Sequence, residues 1–245
     1  MIFDSHVHFG QFREKYYTSP QVLRFVQRAG IDRFAFSSTS AIVCDDPGFL
    51  KEERDTMLEM SEFRGIPLQW ISFGMLRHSR DLSLYLDESV RGLKIHGVSE
   101  PWSPFGKRLQ RVFAIAQERN IPILLHTGEY ERAYAGNYEK ICKKFSSVTV
   151  ILAHGRPLDQ TIRVLQKCPN TFVDTAFMPL HHLNKLLLAG FRERILFGTD
   201  LPIPQLFHKD SLTRYIRYRI EKIRKIAGND QERILWNNAS GIWLD

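Results

Sequence analysis

The sequence has few cysteines and no long apolar run, and each of these absences narrows the class of protein. Its 245 residues include three cysteines, Cys44, Cys142 and Cys168, which are widely spaced and form no CxxC pair. We therefore expect free thiols rather than a disulfide framework or a cysteine metal site. No apolar run is long enough to span a bilayer, and no signal-peptide pattern precedes the first strand-like segment, so the expected location is cytoplasmic.

Acidic residues are outnumbered: the chain carries 34 Lys and Arg against 27 Asp and Glu, a formal net charge of +7. Much of this excess lies in residues 214–225, where Ile216, Ile220 and Ile223 recur at helical spacing with basic residues between them. The pattern is typical of an amphipathic helix with a solvated basic face. Because no nucleic-acid-binding motif accompanies the charge, we do not expect a nucleic-acid partner.

Short β-branched, apolar runs alternate with longer amphipathic ones along the whole chain. The strand-like runs cover residues 1–8, 32–38, 68–73, 91–96, 121–126, 149–154, 171–175 and 194–198. Helical patterns cover residues 20–29, 48–63, 81–89, 105–119, 133–144, 158–167 and 180–189, and a basic helix covers residues 208–227. Such alternation implies a parallel sheet, and eight units favour closure. The predicted fold class is therefore α/β, a (β/α)8 TIM barrel formed by residues 1–245 as one domain.

Side chains that can bind metals stand at the ends of the predicted strands. In such barrels the catalytic groups come from the carboxyl ends of the strands. Five of the nine histidines fall at these few positions, together with a lysine and an aspartate. The sequence therefore predicts a metal site built from the following candidates: His6, His8, Lys94, His96, His126, His154 and Asp200.

Each of these candidates has a chemical reason and a structural alternative. His6 and His8 are two apart on a strand, so both side chains point to one side and can bind one divalent cation, with ordinary hydrogen-bonded strand histidines as the alternative. His126 and His154 each end an apolar run typical of a buried parallel strand, where an ordinary hydrogen-bonded core histidine is the alternative. An ionised Asp200 beside a cation can accept a proton from water, whereas a turn or helix-cap aspartate is the alternative.

Lys94 and His96 leave the number of metal ions open between one and two. A buried lysine is costly unless it is paired, deprotonated or modified. A carbamate on Lys94 would bridge two metals, whereas an ammonium there would bind a substrate anion or pair with a carboxylate. His96 is a candidate for a second metal, for the substrate, or for supporting another ligand.

Three further residues are candidates for substrate binding, and for two of them an ordinary surface role is the alternative. Arg156 can hold a carboxylate through both nitrogens of its guanidinium, or it can lie on the surface at a helix start. Glu129 can pair with Lys94 or bind substrate, or it can be a loop carboxylate with no special role. Arg77 follows the third predicted strand and is expected at the mouth of the barrel.

Seven segments, in this order along the chain, carry a family resemblance: Asp4-Ser-His-Val-His, Gly92-Leu-Lys-Ile-His, Leu125-His-Thr-Gly-Glu, Leu152-Ala-His-Gly, Phe172-Val-Asp-Thr, Leu196-Phe-Gly-Thr-Asp and Ile234-Leu-Trp-Asn-Asn-Ala. Together they resemble the amidohydrolase superfamily, in particular its amidohydrolase-related (amidohydrolase-2) branch of metal-dependent hydrolases. The resemblance implies a distorted barrel with one or two divalent ions, zinc being expected and manganese the alternative. It assigns His6, His8, His126 and Asp200 as ligands of a single-metal site and His154 to substrate polarisation or proton transfer.

One departure separates the chain from the TatD-like branch but not from the phosphotriesterase-like branch. The TatD-like nucleases carry a glutamate near the fourth strand, where this chain reads Leu93-Lys-Ile-His, which argues against that assignment. The phosphotriesterase-like members use a carbamylated lysine on the fourth strand. The state of Lys94 therefore remains open at the level of sequence.

Three functions of different classes follow from these residues. The leading one is hydrolysis of a small, anionic ester, lactone or amide-type substrate, with Asp200 and His154 as the catalytic groups. The second is decarboxylation of an aromatic or unsaturated acid by similar ligands. The third is a non-catalytic barrel that acts as a binding protein. The predicted βα loops are short, which leaves an open mouth or one completed by a second subunit of a homo-oligomer.

Overall fold

Nine β-strands form one sheet in the computed structural model, which describes residues 1–78, 82–208 and 211–244. The order of the strands is β2-β1-β3-β4-β5-β6-β7-β8-β9. All neighbouring pairs are parallel except that of β2 with β1. The strands are β1 (Phe3–Phe12), β2 (Lys15–Tyr17), β3 (Arg33–Ser38), β4 (Gly65–Trp70), β5 (Gly92–Ile95), β6 (Ile123–His126), β7 (Val150–Ala153), β8 (Thr171–Asp174) and β9 (Ile195–Leu196).

Backbone hydrogen bonds connect the last strand to the first. The Ser5 N–H donates to Phe197 O at 2.8 Å, and the Asp200 N–H donates to His6 O at 2.8 Å. Val7 and Leu201 form an isolated parallel bridge in the same seam. Eight parallel strands that close in this way form the predicted (β/α)8 barrel, with β2 as an added antiparallel strand.

Nine α-helices lie in the described residues, most of them between consecutive strands. No helix there is both long and apolar enough to span a membrane. The helices are α1 (Ser19–Ala29), α2 (Pro47–Met60), α3 (Phe73–His78), α4 (Lys107–Arg119), α5 (Glu139–Lys144), α6 (Leu158–Lys167), α7 (Leu180–Leu188), α8 (Leu212–Ala227) and α9 (Asn238–Trp243). A π-helical segment, Arg233–Asn237, precedes α9.

Local sequence signals explain where α1 begins and ends. The Thr18 side chain accepts from the backbone of Gln21, and the Gln21 side chain accepts from the Thr18 backbone, which forms a capping box. Pro20 lies in the first turn, where its missing N–H costs nothing. Gly30 ends the helix in the left-handed conformation, with φ 77°. The helix predicted over residues 20–29 is therefore confirmed.

Four predicted elements differ from the structure, two of them because of contacts between residues far apart in sequence. The third strand covers Gly65–Trp70, because Gly65 pairs with β3, and Phe73 begins α3 instead of extending the strand. In residues 81–89 the described part forms only a 3-10 turn, Leu82–Tyr85, and residue 81 lies outside the described residues. The helix predicted over residues 133–144 is broken because the Ala135 and Gly136 N–H groups donate to Arg156 O and to the Gln160 side chain. The predicted start of the basic helix, at residues 208–211, precedes the observed start of α8 and includes two residues that are not described.

The interior of the barrel is apolar at the amino ends of the strands and polar at their carboxyl ends. One cluster of buried side chains joins strand residues to Ala239 and Trp243 of α9. Trp243 packs so closely on β5 that a Cβ at Gly92 would meet its ring at 2.8 Å. The polar side chains described below are therefore concentrated at the opposite end. The strand members of this apolar cluster are Phe3, Ala35, Ile66, Leu68, Leu124, Ile151, Ala153 and Leu196.

β1 continues beyond the barrel and turns back into β2, forming a hairpin at the carboxyl end. A buried carboxylate on α2 holds this hairpin. Glu53 accepts hydrogen bonds from the hydroxyls of Tyr16 at 2.5 Å, Ser38 at 2.6 Å and Ser40 at 2.9 Å. Ser40 Oγ in turn accepts from the Gln11 N–H at 2.9 Å. Glu53 therefore connects both strands of the hairpin to the barrel.

Replacing Glu53 with glutamine is expected to lower the free energy of unfolding by roughly 1–3 kcal/mol, since three hydroxyls lose a charged acceptor. Urea unfolding followed by circular dichroism measures the change. Glu52→Gln is the matched control, because Glu52 is the adjacent glutamate of α2 and is exposed. Equal unfolding midpoints for the two variants would show that Glu53 does not anchor the hairpin.

Candidate functional site

A cavity of about 650 Å³ opens at the carboxyl ends of the barrel strands. Four of its lining residues are the predicted metal ligands His6, His8, His126 and Asp200. The side chains of these four residues are almost fully buried. The structure therefore brings the predicted ligand set together in one concave site.

His6 is oriented by a carboxylate that we did not predict as a site residue. Its Nδ1 lies 2.8 Å from Oδ2 of Asp174, and Oδ1 of Asp174 accepts from the backbone N–H groups of His154 and Ala176. Because the carboxylate accepts the Nδ1 proton, Nε2 of His6 keeps its lone pair and faces the cavity. Asp174 is the last residue of β8 and is fully buried. The signal in the sequence was a carboxylate at the end of a predicted strand.

His8 and His126 are held in the same tautomer by other partners. Nδ1 of His8 lies 3.4 Å from the Ser37 carbonyl, which can only accept, and 2.9 Å from the Ser37 hydroxyl. Nδ1 of His126 lies 3.2 Å from Nε2 of His154. His154 places its own Nδ1 3.0 Å from the carbonyl of Ala176, to which it can only donate. Nε2 of His126 is buried and has no hydrogen-bond partner. The Nε2 lone pairs of His8 and His126 are therefore free to bind a ligand.

The acceptor atoms in this site crowd one another. Nε2 of His6 lies 3.0 Å from Nε2 of His8 and 3.4 Å from Oδ1 of Asp200, and Nε2 of His8 lies 3.1 Å from the same oxygen. Two imidazole lone pairs and a carboxylate oxygen repel at these distances unless a positive charge lies between them. Nitrogen and oxygen donors of this kind suit zinc and related divalent ions. The donor set therefore fits a divalent cation.

The compact ligand group contains two of the four predicted ligands and one residue from outside the predicted set. Among the described residues, His6, His154 and Asp200 offer ligand atoms that all lie within 4.8 Å of one another. His154, which the resemblance assigns to substrate polarisation or proton transfer, belongs to this group. His126 lies beside it, with its ring centroid 4.7 Å from that of His154. Whether His126 or His154 completes the ligand set stays a prediction.

Burial and neighbouring charges set the protonation states of the site. Burial lowers the pKa of His6, His8 and His126, and it lowers that of His154 to about 4. Burial alone would raise the pKa of Asp200, but His6, His8 and His154 hold it far below its usual range. At neutral pH the imidazoles are therefore neutral and the carboxylate is ionised, which is the state that binds metals.

Lys94 is fully buried beneath this group, and its Nζ lies 2.9 Å from Nε2 of His6. Burial lowers its pKa to about 8. An ammonium at this position donates to the same nitrogen that a cation would bind. A metal at His6 therefore requires that Lys94 lose its proton or turn away, and the neutral amine is also the form that can bind a metal or carry a carbamate.

His96 has the opposite tautomer from the ligand histidines. Its Nδ1 accepts from the backbone N–H of Ser99 at 2.9 Å, so the neutral ring carries its proton on Nε2. The ring stacks on Trp70 with centroids 5.2 Å apart and lines the cavity. An N–H group at this position favours a role as hydrogen-bond donor to the substrate over that of a second-metal ligand.

The three predicted substrate-binding residues lie in two places. Arg156 and Glu129 line the cavity, and Arg156 Nη1 lies 3.6 Å from Glu129 Oε1. Glu129 Oε1 is also 3.8 Å from Nε2 of the neutral His126 ring, so its cationic neighbour is Arg156 rather than Lys94. Arg77 is exposed on α3, where its charge acts on Glu100, and it does not line the described cavity.

Sequence reasoning also missed the upper walls of the cavity. The hairpin supplies Gln11, Phe12 and Arg13, and the segments after β8 and β9 supply Phe177 and Phe207. The rings of Phe177 and Phe207 meet edge to face with centroids 6.1 Å apart. The upper cavity is therefore largely aromatic, with cationic side chains at its rim.

The backbone at the strand ends is adapted to place these side chains. Glu129, His154 and Asp200 adopt left-handed conformations, with φ of 64°, 69° and 60°. Non-glycine residues rarely adopt this region, and such residues concentrate at functional sites. Asp4 supports the turn at Asp200, because it accepts from the Thr199 N–H at 3.0 Å and from the Thr199 hydroxyl at 2.5 Å.

The fold is a (β/α)8 barrel with a candidate histidine–aspartate metal site, and comparison with known proteins gives the family. The family model Amidohydro_2, described as Amidohydrolase, matches residues 4–243. The chain belongs to this amidohydrolase family, which is metal-dependent, and the resemblance seen in the sequence is confirmed. Membership supports an enzyme, either a hydrolase or a decarboxylase.

Solved structures with the same fold cover nearly the whole chain. A probable 2-pyrone-4,6-dicarboxylic acid hydrolase from Acinetobacter baumannii, with citric acid bound, has a TM-score of 0.67 at 12% identity, covering 100% of this chain and 99% of that one. An amidohydrolase from Burkholderia multivorans with bound zinc has a TM-score of 0.66 at 13% identity, covering 100% and 99%. A 2,6-dihydroxybenzoate decarboxylase from Rhizobium has a TM-score of 0.62 at 12% identity, covering 99% and 98%.

These likenesses, at such low identity, show the fold alone. No curated protein matches the sequence. The choice between hydrolysis and decarboxylation therefore depends on the chemistry of the site itself.

Proposed function

We propose that this protein is a metal-dependent hydrolase of a small, anionic ester, lactone or amide-type substrate. The observation that carries the proposal is the convergence of imidazole lone pairs and the Asp200 carboxylate at the floor of the cavity. His6, His8, Asp200 and either His126 or His154 would hold the ion, which we expect to be zinc. One such ion, when bound, supplies an activated water and polarises the electrophile of the substrate.

The protein's own side chains would transfer the proton of the attacking water. Oδ1 of Asp200 faces His6 and His8, whereas its Oδ2 lies 3.9 Å from Nε2 of His154. An ionised Asp200 can accept a proton from the attacking water and pass it to the leaving group. When His126 is the ligand, Nε2 of His154 accepts from the His126 Nδ1–H, so His154 would orient that ligand.

The cavity walls would select the substrate. Arg156 can pair with a carboxylate of the substrate, and the His96 Nε2–H can donate to a second oxygen. Trp70, Phe177 and Phe207 would pack on an apolar or planar portion of the molecule. The cavity volume falls within the range of small-molecule sites, so the proposed partner is a small metabolite rather than nucleic acid. The three free thiols agree with a cytoplasmic enzyme.

Decarboxylation of an aromatic or unsaturated acid is the second candidate. It is favoured by the combination of an aromatic upper wall with Arg13 and Arg156 at the cavity. In that reaction a protein group must protonate the carbon that loses carbon dioxide. An Asp200 that has taken up a proton is the group whose position in the cavity lining allows it.

A panel assay tests both functions and the metal requirement together. Protein stripped with a chelator is reloaded with zinc or manganese and offered esters, lactones, amides and aromatic carboxylates. We expect turnover only in the reloaded protein, with proton release from an ester or lactone and release of the amine from an amide. Carbon dioxide release without hydrolysis would replace the first proposal by the second. A protein that binds no metal and turns over nothing would favour a non-catalytic barrel.

A further inference from the structure

A second cavity, of about 370 Å³, lies on the other side of the β1–β2 hairpin. Lys15, Tyr16 and Tyr17 of β2 form one wall, and Gln205 closes another. None of the metal-site candidates lines it. The cavity is therefore separate from the site described above and needs its own explanation.

The third wall is one face of α1. Gln21, Arg24, Phe25 and Arg28 line the cavity, and they follow the i, i+3, i+4, i+7 spacing of a single helical stripe. Another stripe of α1, formed by Val22, Val26 and Ala29, is buried in the core. The helix thus presents two basic residues and an aromatic ring to the cavity in a fixed arrangement.

The charge of this cavity has one sign. Lys15, Arg24 and Arg28 are cationic, and no carboxylate occurs among the lining residues that the structure describes. None of the three forms an ion pair with any described part of the chain. Two arginines and a lysine around a concave surface suit a phosphate group, which guanidinium groups recognise through paired hydrogen bonds.

A buried hydroxyl and three aromatic rings in this cavity favour a ligand that also has a polar group and a flat ring. Tyr17 is 5% exposed, and its hydroxyl is buried without a hydrogen-bond partner. An unpaired buried hydroxyl is unfavourable, and a polar ligand in the cavity would satisfy it. Tyr16 and Phe25 offer ring faces on which a planar group can stack, and the Gln21 and Gln205 amides can bind its polar edge.

We propose that this cavity binds a phosphomonoester that carries a flat aromatic ring, of which a nucleoside monophosphate is the simplest example. Arg24, Arg28 and Lys15 hold the phosphate, and Tyr16 and Phe25 hold the ring. The ligand would also contact two elements that wall the metal site. The hairpin contributes Gln11, Phe12 and Arg13 to that site, and the 3-10 turn Ile203–Leu206 lines both cavities.

Calorimetric titration of the full chain with adenosine monophosphate, ribose 5-phosphate and adenosine tests the proposal at one fixed salt concentration. We expect the monophosphate to bind roughly tenfold more tightly than either fragment, because each fragment lacks one half of the contacts. The double variant Arg24→Gln/Arg28→Gln is expected to weaken binding by roughly tenfold or more. Tyr17→Phe is expected to weaken it roughly fivefold without changing the charge.

Matched variants distinguish binding in this cavity from nonspecific attraction of the phosphate to positive charge and from binding in the cavity of the metal site. Arg214→Gln/Arg224→Gln removes the same charge from exposed positions of α8, outside the cavity lining, and should leave the affinity unchanged. Equal weakening by the two double variants would overturn the proposal, as would a loss confined to Arg156→Gln. Failure of the monophosphate to bind at millimolar concentration would overturn it as well. None of these results depends on catalysis, so they leave the proposed enzymatic function untouched.

Discussion

Replacing Asp200 with asparagine is expected to lower turnover by roughly 10²–10⁴-fold, the range for losing a positioned general base. The amide has nearly the same volume as the carboxylate, so the barrel should still form. It cannot accept a proton, and it removes the negative charge that lies 3.1 Å from Nε2 of His8 and 3.4 Å from Nε2 of His6. The loss should therefore appear in kcat more than in KM.

Steady-state kinetics with a substrate from the panel, together with metal content, measures the effect of Asp200→Asn. Metal content separates the two roles of Asp200, since a variant that keeps its ion but loses kcat has lost the base. Asp159→Asn, at an exposed position of α6, is the matched control and should behave like the parent. Parental turnover in a metal-loaded Asp200→Asn protein would contradict the assignment of Asp200.

Asp174→Asn is expected to weaken metal binding by roughly 10–100-fold, the usual cost of losing the partner of a ligand histidine. In the parent, the backbone N–H groups of His154 and Ala176 donate to Oδ1 of Asp174. They would donate to the asparagine oxygen in the same way and so fix its position. The amide N–H2 would then face Nδ1 of His6. That nitrogen can accept from the amide only if the His6 proton moves to Nε2, which removes the lone pair that binds the ion.

Competition with a chelator of known affinity measures the zinc dissociation constant of the Asp174→Asn protein. Asp4→Asn is the comparison, because Asp4 is also fully buried and bonds the His6 backbone but not its ring. Both variants should lose stability in the metal-free state, but only Asp174→Asn should lose affinity through the His6 tautomer. A parental zinc affinity for Asp174→Asn would show that the tautomer of His6 is set elsewhere.

The predictable part of the site is the part that follows from strand geometry. Parallel strands bring their carboxyl ends to one rim, so a histidine or aspartate at the end of an apolar run is predicted there from local sequence alone. His6, His126 and Asp200 were predicted in this way, and all three line the cavity. The fold was predicted from the alternation of strand and helix patterns. The main errors of that prediction lie in residues 65–89 and 133–144.

The remaining features depend on contacts between residues far apart in the chain. The tautomer of His6 depends on Asp174, which is 168 residues away, and that of His8 depends on Ser37, which is 29 residues away. The placement of the hairpin depends on Glu53, whose helix looks like any other amphipathic segment. Arg77 was misplaced because a strand predicted three residues too late moved the expected rim. Local patterns carry no information about such pairings.

The seam between β9 and β1 determines when the site can exist. Asp4 and Thr199, which are 195 residues apart, meet across this seam beside His6 and Asp200. A ribosome must have released nearly the entire barrel before these groups can touch, and contacts of such long sequence separation form late because loop closure must come first. Metal binding would then show that the barrel is complete, because a chain truncated before residue 200 lacks a ligand. Zinc affinity can therefore be used to measure the final folding step.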